Sequence, residues 1–165
     1  MILVVAVLLT SCDQEKTAYV DTTKLIQEYK EMKDVEADFT SKSDSVKRQL
    51  DSIARGFQQE VQAYQQEMNS MSQAQRQEKE QELMQKQQRI QQQQQMQGSR
   101  LREQSDAVID SIVDKVKDYV ADYGEENGYT YIFGSNESAN IMYAKDGKDL
   151  TQEILDNLNK TYNKN

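Results

Sequence analysis

The fold is decided by the stretch DVEADFTSKSDSVKRQLDSIARGFQQEVQAYQQEMNSMS, residues 34–72. It contains no proline, is rich in charged and amide side chains, and places its apolar residues three, four or seven positions apart. Such spacing keeps apolar side chains on one narrow stripe of a helix, as in the seam of a coiled coil. We therefore predict a long helix here. Its seam consists of Val35, Phe39, Val46, Leu50, Ile53, Phe57, Val61, Tyr64, Met68 and Met71.

The helix is predicted to end near residues 69–73, where Asn-Ser-Met-Ser supplies short polar side chains that hydrogen-bond locally. Ser72 is placed to cap a new helix, and Gln75 three positions later completes a capping box. The chain should turn back at this point, which makes residues 34–123 a helical hairpin with its tip near 69–73.

The return arm also carries a sparse apolar seam, and one register pairs it with the first arm. Residue numbers that add to 143 or 144 bring three distant pairs together: Val61 with Leu83, Ile53 with Ile90, and Val35 with Val108. The same arm continues through Leu101, Ile112, Val116, Tyr119 and Tyr123. With roughly 40 to 50 residues at 1.5 Å each, an arm would be about 60 to 75 Å long.

A glutamine-rich tract, residues 84–99, lies within the return arm. Such tracts can be disordered, but glutamine is a good helix former and Ile90 continues the seam, so we predict a solvated helix. Gly98 and Ser99 would either bend it or be tolerated within it.

Composition restricts the function. Only 36% of the 165 residues are apolar and there is no tryptophan, which favours one small packed head and solvated helices over a large core. The net charge of -8 argues against a nucleic-acid partner. Residues 71–102 nevertheless carry six basic and three acidic side chains. The candidate basic tip is Arg76, Lys79, Lys86 and Arg89, although a solvated helix face with paired charges is the more ordinary interpretation.

Catalytic chemistry is poorly supported by this sequence. It has no histidine and a single cysteine, Cys12, so histidine acid–base chemistry, a Cys/His metal cluster and an intramolecular disulfide have no basis. Its carboxylates lie mostly at helix-surface spacing, without an apolar pocket to shift their pKa values. We expect no enzymatic activity, no metal and no cofactor.

The N-terminal residues have the sequence pattern of a secretory signal peptide. Residues 1–9 are continuously apolar, too short to span a bilayer but of the right length for the apolar region of a signal peptide. Leu9-Thr10-Ser11-Cys12 resembles the lipobox of bacterial lipoproteins, in which the cysteine receives a diacylglycerol. Residues 1–11 would then be the signal peptide and 12–18 the lipidated Cys12 with a short spacer, the alternative being a chance cysteine after an ordinary signal. No basic residue precedes the apolar run, so the true start is expected upstream.

Strand-forming segments flank the hairpin. Residues 19–21 are a short strand candidate, with Asp21 or Thr22 capping a helix after it. Residues 129–133 and 140–144 are predicted to pair as a β-hairpin, followed by a final helix capped by Asp149 or Thr151. The predicted head, residues 19–33 and 124–165, forms only if the hairpin returns the chain to its start. A small sheet of this kind is marginal alone, which favours oligomerisation through Val20, Tyr131, Phe133, Ile141 and Tyr143.

The sequence resembles the Skp (OmpH) family of periplasmic chaperones at both ends: Tyr19-Val20-Asp21-Thr22-Thr23-Lys24-Leu25, then residues 129–133 and 140–144, and Asp149-Leu150-Thr151 with its amphipathic helix. This resemblance implies an α+β homotrimer, with a β-barrel-like body and helical tentacles around a cavity. It also implies a periplasmic location in a Gram-negative-type envelope, and ATP-independent holding of unfolded outer-membrane proteins.

The side chains best suited to an irregular unfolded client are methionines and aromatics, which adapt to many partners. The candidates are Phe57, Tyr64, Met68, Met71, Met84 and Met96. Their alternative role is ordinary packing in the seam. The competing function for the whole chain is a lipid-anchored coiled-coil tether of the cell envelope that binds no clients, but a tether does not need a β-containing head.

Overall fold

The structure is a computed structural model that describes residues 15–136 and 140–163. Within those ranges the chain forms two strands, four α-helices and one 3-10 turn (Met68–Ser70). In chain order the strands and α-helices are β1 (Thr17–Asp21), α1 (Thr22–Glu28), α2 (Lys30–Glu67), α3 (Gln73–Glu126), β2 (Tyr131–Ser135) and α4 (Thr151–Tyr162). The predicted α+β class, with a long helical hairpin and a small β body, is confirmed.

Two compact units make up the chain. Of the described residues, the terminal unit contains 15–29, 114–136 and 140–163, and the hairpin unit contains Lys30–Val113. The division falls inside α3, so one continuous helix supplies residues to both units. The sequence had placed the boundaries at residues 33/34 and 123/124.

The hairpin tip has the predicted capping box. After the 3-10 turn, Met71 is extended and α3 begins at Gln73. The backbone N–H of Ser72 donates to Gln75 Oε1 at 2.9 Å, and the N–H of Gln75 donates to Ser72 Oγ at 3.3 Å. Two amides that lack partners at a helix start are thereby satisfied by side chains.

The two arms of the hairpin unit run antiparallel and touch through their seams. All ten predicted seam residues of the first arm are half-buried, whereas most of their neighbours in sequence are exposed. Tyr64 contacts Glu80, and Glu60 forms an ion pair with Lys86. Leu83 and Ile112 of α3 are buried. The α3 helix also continues through Gly98 and Ser99.

The sheet of the terminal unit pairs the two ends of the chain. β1 and β2 are parallel, with Tyr19 opposite Phe133. Parallel strands need a crossover connection, and here the connection is the whole run from α1 to α3. On its other edge, Tyr19 exchanges backbone hydrogen bonds of 2.9 Å with Lys148 and Leu150.

One predicted strand is absent. Residues 140–144 have no strand conformation, and the partner of β2 is β1 rather than this segment. The prediction of a β-hairpin between residues 129–133 and 140–144 is therefore wrong for the described residues. The physical reason is competition for β2, because β1 offers five paired positions together with two buried side chains, Ala18 and Val20. Residues 137–139, within the expected connection, lie outside the described residues.

Helices close the core of the terminal unit. α1 begins at Thr22, where the Asp21 carboxylate accepts a 2.9 Å hydrogen bond from the backbone N–H of Lys24. The fully buried side chains there are Leu25, Tyr29 and Ile154. These side chains pack α1 against α4. Tyr29 and Tyr162 also make an edge-to-face contact, with their ring centroids 6.1 Å apart.

The ends of α3 and α4 follow local chemistry. α3 ends at Glu126, and Gly128 adopts a positive φ of 67°, the conformation that glycine adopts most easily after a helix. At the start of α4 the N-cap position is Leu150, but the Asp149 carboxylate accepts a 2.9 Å bond from the Thr151 N–H. Asp149 thus provides the capping interaction that the sequence had assigned to Asp149 or Thr151.

Candidate functional site

The predicted contact residues of the hairpin fall into two groups. Four are half-buried members of the seam: Phe57, Tyr64, Met68 and Met71. The other two, Met84 and Met96, are 57% and 65% exposed. Only this second pair presents most of its side chain to a partner without any rearrangement of the arms.

Tyr64 shows how a seam residue is held. Its hydroxyl donates a 2.6 Å hydrogen bond to the Glu80 carboxylate on the opposite arm. That hydrogen bond is the main reason why the pKa of Tyr64 is raised above its ordinary value, with desolvation adding to it. A side chain committed in this way cross-links the arms and is poorly placed to meet a partner.

The predicted basic tip is partly neutralised by its own acids. Lys79 forms an ion pair with Glu82 at 2.8 Å, and Lys86 forms one with Glu60 across the arms. The hydrogen bond that Lys79 donates to Glu82 makes the largest contribution to the lowered pKa of that carboxyl. Arg76 and Arg89 form no ion pair within the described ranges, although the charge of Arg89 is a minor cause of the lowered pKa of Glu82. Two of the four predicted cations therefore have no ion pair in the described part of the chain.

Arg100 is one of the basic residues of this region but is not among the site residues predicted from the sequence. It is exposed on α3 and has no ion-pair partner among residues 15–136 and 140–163. The signal in the sequence is spacing, because Arg100 lies one helical turn beyond Met96, one of the predicted contact residues.

In the terminal unit, the predicted oligomer residues also separate by exposure. Val20 is only 2% exposed and belongs to the core of the single chain. Ile141 is half-buried, whereas Tyr143 is 85% exposed. Tyr131 and Phe133 are about half exposed and stack on one another, with ring centroids 5.7 Å apart.

Met142 was missed by the sequence analysis and is 89% exposed, more than Tyr143 beside it. In a strand, neighbouring side chains point to opposite faces, so the predicted strand would have hidden one of the two. Because residues 140–144 are irregular, both side chains face solvent. The segment lines a cavity of ≈ 600 Å³ together with residues of β1 and Phe133.

A second cavity of ≈ 580 Å³ opens on the terminal unit between α3 and the sheet. Its walls are mostly apolar and include Leu25, Val116, Val120 and Ile132. Two glycines keep the packing close at this place: a Cβ on Gly124 would lie 3.3 Å from Ile132, and one on Gly134 would lie 3.1 Å from Thr22.

The described residues contain no group of three or more His, Cys, Asp or Glu side chains that could hold a metal ion. No helix described here has the length and apolar character needed to cross a membrane. Cys12, the predicted lipid attachment residue, lies outside the described residues.

Comparison with known proteins adds a family match and a structural match. The family profile described as outer membrane protein (OmpH-like) matches residues 16–158. Curated protein sequences give no significant match. The fold is similar to a crystal structure from Caulobacter crescentus CB15, described as an OmpH-like outer membrane chaperone, with a TM-score of 0.80 and 12% sequence identity. That similarity covers 90% of this chain and 86% of the other, and at such identity it shows the fold alone.

Proposed function

The chain belongs to the family of OmpH-like outer membrane proteins, and on that basis we propose that it is an ATP-independent chaperone for unfolded outer-membrane or envelope proteins. The observation that carries the proposal is the extent of the family match, which includes both the hairpin and the two ends of the chain. A simple tether would need the coiled coil but not the terminal unit.

The exposed surface of the hairpin suits this role physically. An unfolded protein presents many apolar segments, and a surface with sparse apolar groups binds each of them weakly. Met84 and Met96 are such groups, set among glutamine side chains. Many weak contacts hold a client without aggregation and let it leave when it folds, with no need for nucleotide hydrolysis.

We further propose that the protein is a homotrimer assembled through the terminal unit. A two-stranded sheet is marginally stable by itself, and β2 has a backbone edge that pairs with no strand among the described residues. The stacked Tyr131 and Phe133 rings lie on that strand, and Tyr143 is exposed on a nearby segment. Pairing of copies along this edge would bury all three rings.

The proposed location is the periplasm, with attachment to a membrane through a lipid on Cys12. The support is the resemblance of residues 9–12 to a lipobox. From Cys12 to β1 is a spacer of a few residues, which at about 3.5 Å each would hold the terminal unit within about 20 Å of the membrane surface.

Light scattering tests the function on the full chain carrying Cys12→Ser, so that no lipid is attached. Its mass is measured alone and after a urea-unfolded outer-membrane β-barrel protein is diluted into the same buffer. We expect a trimer that gains the mass of one client and keeps it in solution. A protein that leaves the β-barrel protein to aggregate would contradict the chaperone function and favour the tether.

A further inference from the structure

The exposed Met96 lies between two arginines on one face of α3. Arg89 precedes it by seven residues and Arg100 follows it by four. In a helix these offsets are close to two turns and one turn, so the three side chains lie along one line of the surface. All three are exposed. We call them the Arg–Met–Arg stripe.

The charges of this stripe are available to a partner. In the described part of the chain, neither arginine forms an ion pair or a hydrogen bond to a side chain, in contrast to Lys79 and Lys86. The lowered pKa of Glu82 is due mainly to its hydrogen bond with Lys79, and the charge of Arg89, seven residues after Glu82, is only a minor cause. From Ile90 to Ser99 the helix carries no charge at all. The stripe is therefore a local positive surface with an apolar centre, on a protein of net charge -8.

We propose that the Arg–Met–Arg stripe binds an extended polypeptide segment in which two carboxylates bracket one apolar side chain. This inference rests on the proposed chaperone function and specifies the kind of client segment that the hairpin holds. The guanidinium groups would pair with the carboxylates, and Met96 would pack against the apolar side chain.

Helix geometry sets the spacing of the bound segment. Arg89 and Arg100 are eleven residues apart, about 16 Å along the helix axis. An extended chain advances about 3.3 Å per residue and alternates its side chains between two faces, so side chains that meet one surface lie an even number of residues apart. Two carboxylates six residues apart, about 20 Å, are within reach of both arginines because the arginine side chains are long and flexible. Met96 is nearer to Arg100, and the apolar residue should accordingly be nearer to one acid. The pattern Asp-x-x-x-Leu-x-Asp, read in either direction, is the nearest fit to these offsets that keeps all three side chains on one face.

The chain contains a matched control in Met84. It has the same side chain on the same helix and a similar exposure, 57% against 65% for Met96. Its neighbour one turn before is Glu80 and one turn after is Gln88, so no cation brackets it. A partner that needs only an exposed methionine would use both sites, whereas the proposed acidic segment should distinguish them.

Methyl NMR measures both sites in one sample. The full chain with Cys12→Ser is labelled with ¹³C at its methionine methyl groups, and the signals are assigned with Met84→Leu and Met96→Leu. The probe is an unstructured Ser/Gly peptide containing Asp-Ser-Ser-Ser-Leu-Ser-Asp. We expect a saturable shift of the Met96 signal and little change at Met84. Equal shifts at the two methionines, or no shift at Met96, would overturn the proposal.

Charge variants test the arginines. Arg89→Gln with Arg100→Gln should weaken peptide binding by about fivefold, the order expected for two solvent-exposed ion pairs. The charge-matched control is Lys24→Gln with Lys33→Gln, which removes two exposed cations from α1 and the start of α2, far along the chain from the stripe, and should leave the Met96 response unchanged. A second peptide carries Asn in place of both Asp residues. Its affinity for the wild-type chain should be as low as the affinity of the Arg89/Arg100 variant for the Asp-containing peptide. Unchanged affinity in that variant would reject the stripe.

Failure of this inference can be separated from failure of the chaperone function. If the wild-type chain keeps the β-barrel protein soluble but Met96 does not respond to the peptide, the stripe is wrong and the function stands. If Met96 responds but the β-barrel protein aggregates, the stripe binds acidic segments and the chaperone function is wrong. Circular dichroism of each variant verifies that the helices are intact.

Discussion

At the scale of single residues, a hydrogen bond between α3 and α4 dominates the chemistry of one tyrosine. The Tyr123 hydroxyl donates to the Glu153 carboxylate at 2.6 Å. This bond, with smaller effects of desolvation and the Glu153 charge, raises the pKa of Tyr123 from 10.0 to about 12. Only the protonated phenol can donate, so the interaction belongs to the neutral form of the side chain.

The expected pH dependence follows from the sign of that shift. Because the folded-state pKa is raised, the stabilisation is complete below the unfolded value of 10.0 and is lost as pH rises through about 12. Tyr123→Phe should cost about 0.5 kcal/mol at neutral pH, a low value because the site is largely exposed. It should also remove the step at the highest pH when the absorbance of tyrosinate is followed during an alkaline titration.

Tyr143→Phe is the control for this titration. It removes one tyrosine that is 85% exposed and leaves the hydrogen bond to Glu153 in place. If both variants lose absorbance over the same pH range, the Tyr123–Glu153 bond does not control the titration.

At the scale of elements, the start of α3 depends on Ser72 and Gln75. Their reciprocal bonds satisfy two backbone amides at the hairpin tip. Ser72→Ala should destabilise the hairpin by about 1 kcal/mol, as measured by urea unfolding. Ser99→Ala, within α3, should be neutral or slightly stabilising, since alanine is the better helix former there. Equal effects of the two substitutions would show that the cap contributes nothing.

The sheet has an equally local constraint at Gly134. A Cβ at this position would lie 3.1 Å from Cγ2 of Thr22, closer than most such contacts in proteins. Gly134→Ala should therefore lower stability by about 1 kcal/mol through crowding. The measurement is the midpoint of thermal unfolding.

Thr22→Ser gives the corresponding double-mutant cycle. Serine lacks the Cγ2 methyl group but keeps the hydroxyl, which donates to the Ser135 carbonyl at 2.8 Å. In the Thr22→Ser background, Gly134→Ala should cost much less than it does alone. If the cost is the same in both backgrounds, crowding against Thr22 is not its cause.

At the scale of the whole molecule, the proposed assembly through the terminal unit predicts a dependence on protein concentration. If copies pair through the exposed rings, thermal stability should rise with protein concentration, because association stabilises only the folded state. Tyr131→Ser with Phe133→Ser should shift the mass toward the monomer while the helical circular dichroism is kept. Met84→Ser with Met96→Ser, on the hairpin, should leave the mass unchanged. A concentration-independent melting temperature and an unchanged mass would contradict assembly through this surface.

Features that depend on hydrophobic periodicity and local capping could be predicted from the amino-acid sequence alone. The apolar seam from Val35 to Met71 predicts the first helix, and the capping box of Ser72 and Gln75 predicts where the second helix begins. Both signals act over a few neighbouring residues and are therefore visible in the sequence. The family resemblance was readable for the same reason, since its motifs are short runs at the two ends of the chain. The exposure of Met84 and Met96 could not be predicted from the sequence. A methionine that packs in the seam and a methionine that faces solvent are the same amino acid, and only the fold distinguishes them.

The pairing of the two chain ends depends on long-range contacts and is seen only in the folded structure. Residues 140–144 have good strand propensity, yet β2 pairs with β1, which precedes it by more than a hundred residues. Strand propensity describes one segment, whereas pairing depends on which partner reaches the edge and buries more surface. The same holds for the charges: Lys86 is neutralised by Glu60 across the arms, whereas Arg89 and Arg100 have no such partner in the described structure. That difference arises from contacts between the two arms, which cannot be deduced from the number of basic residues.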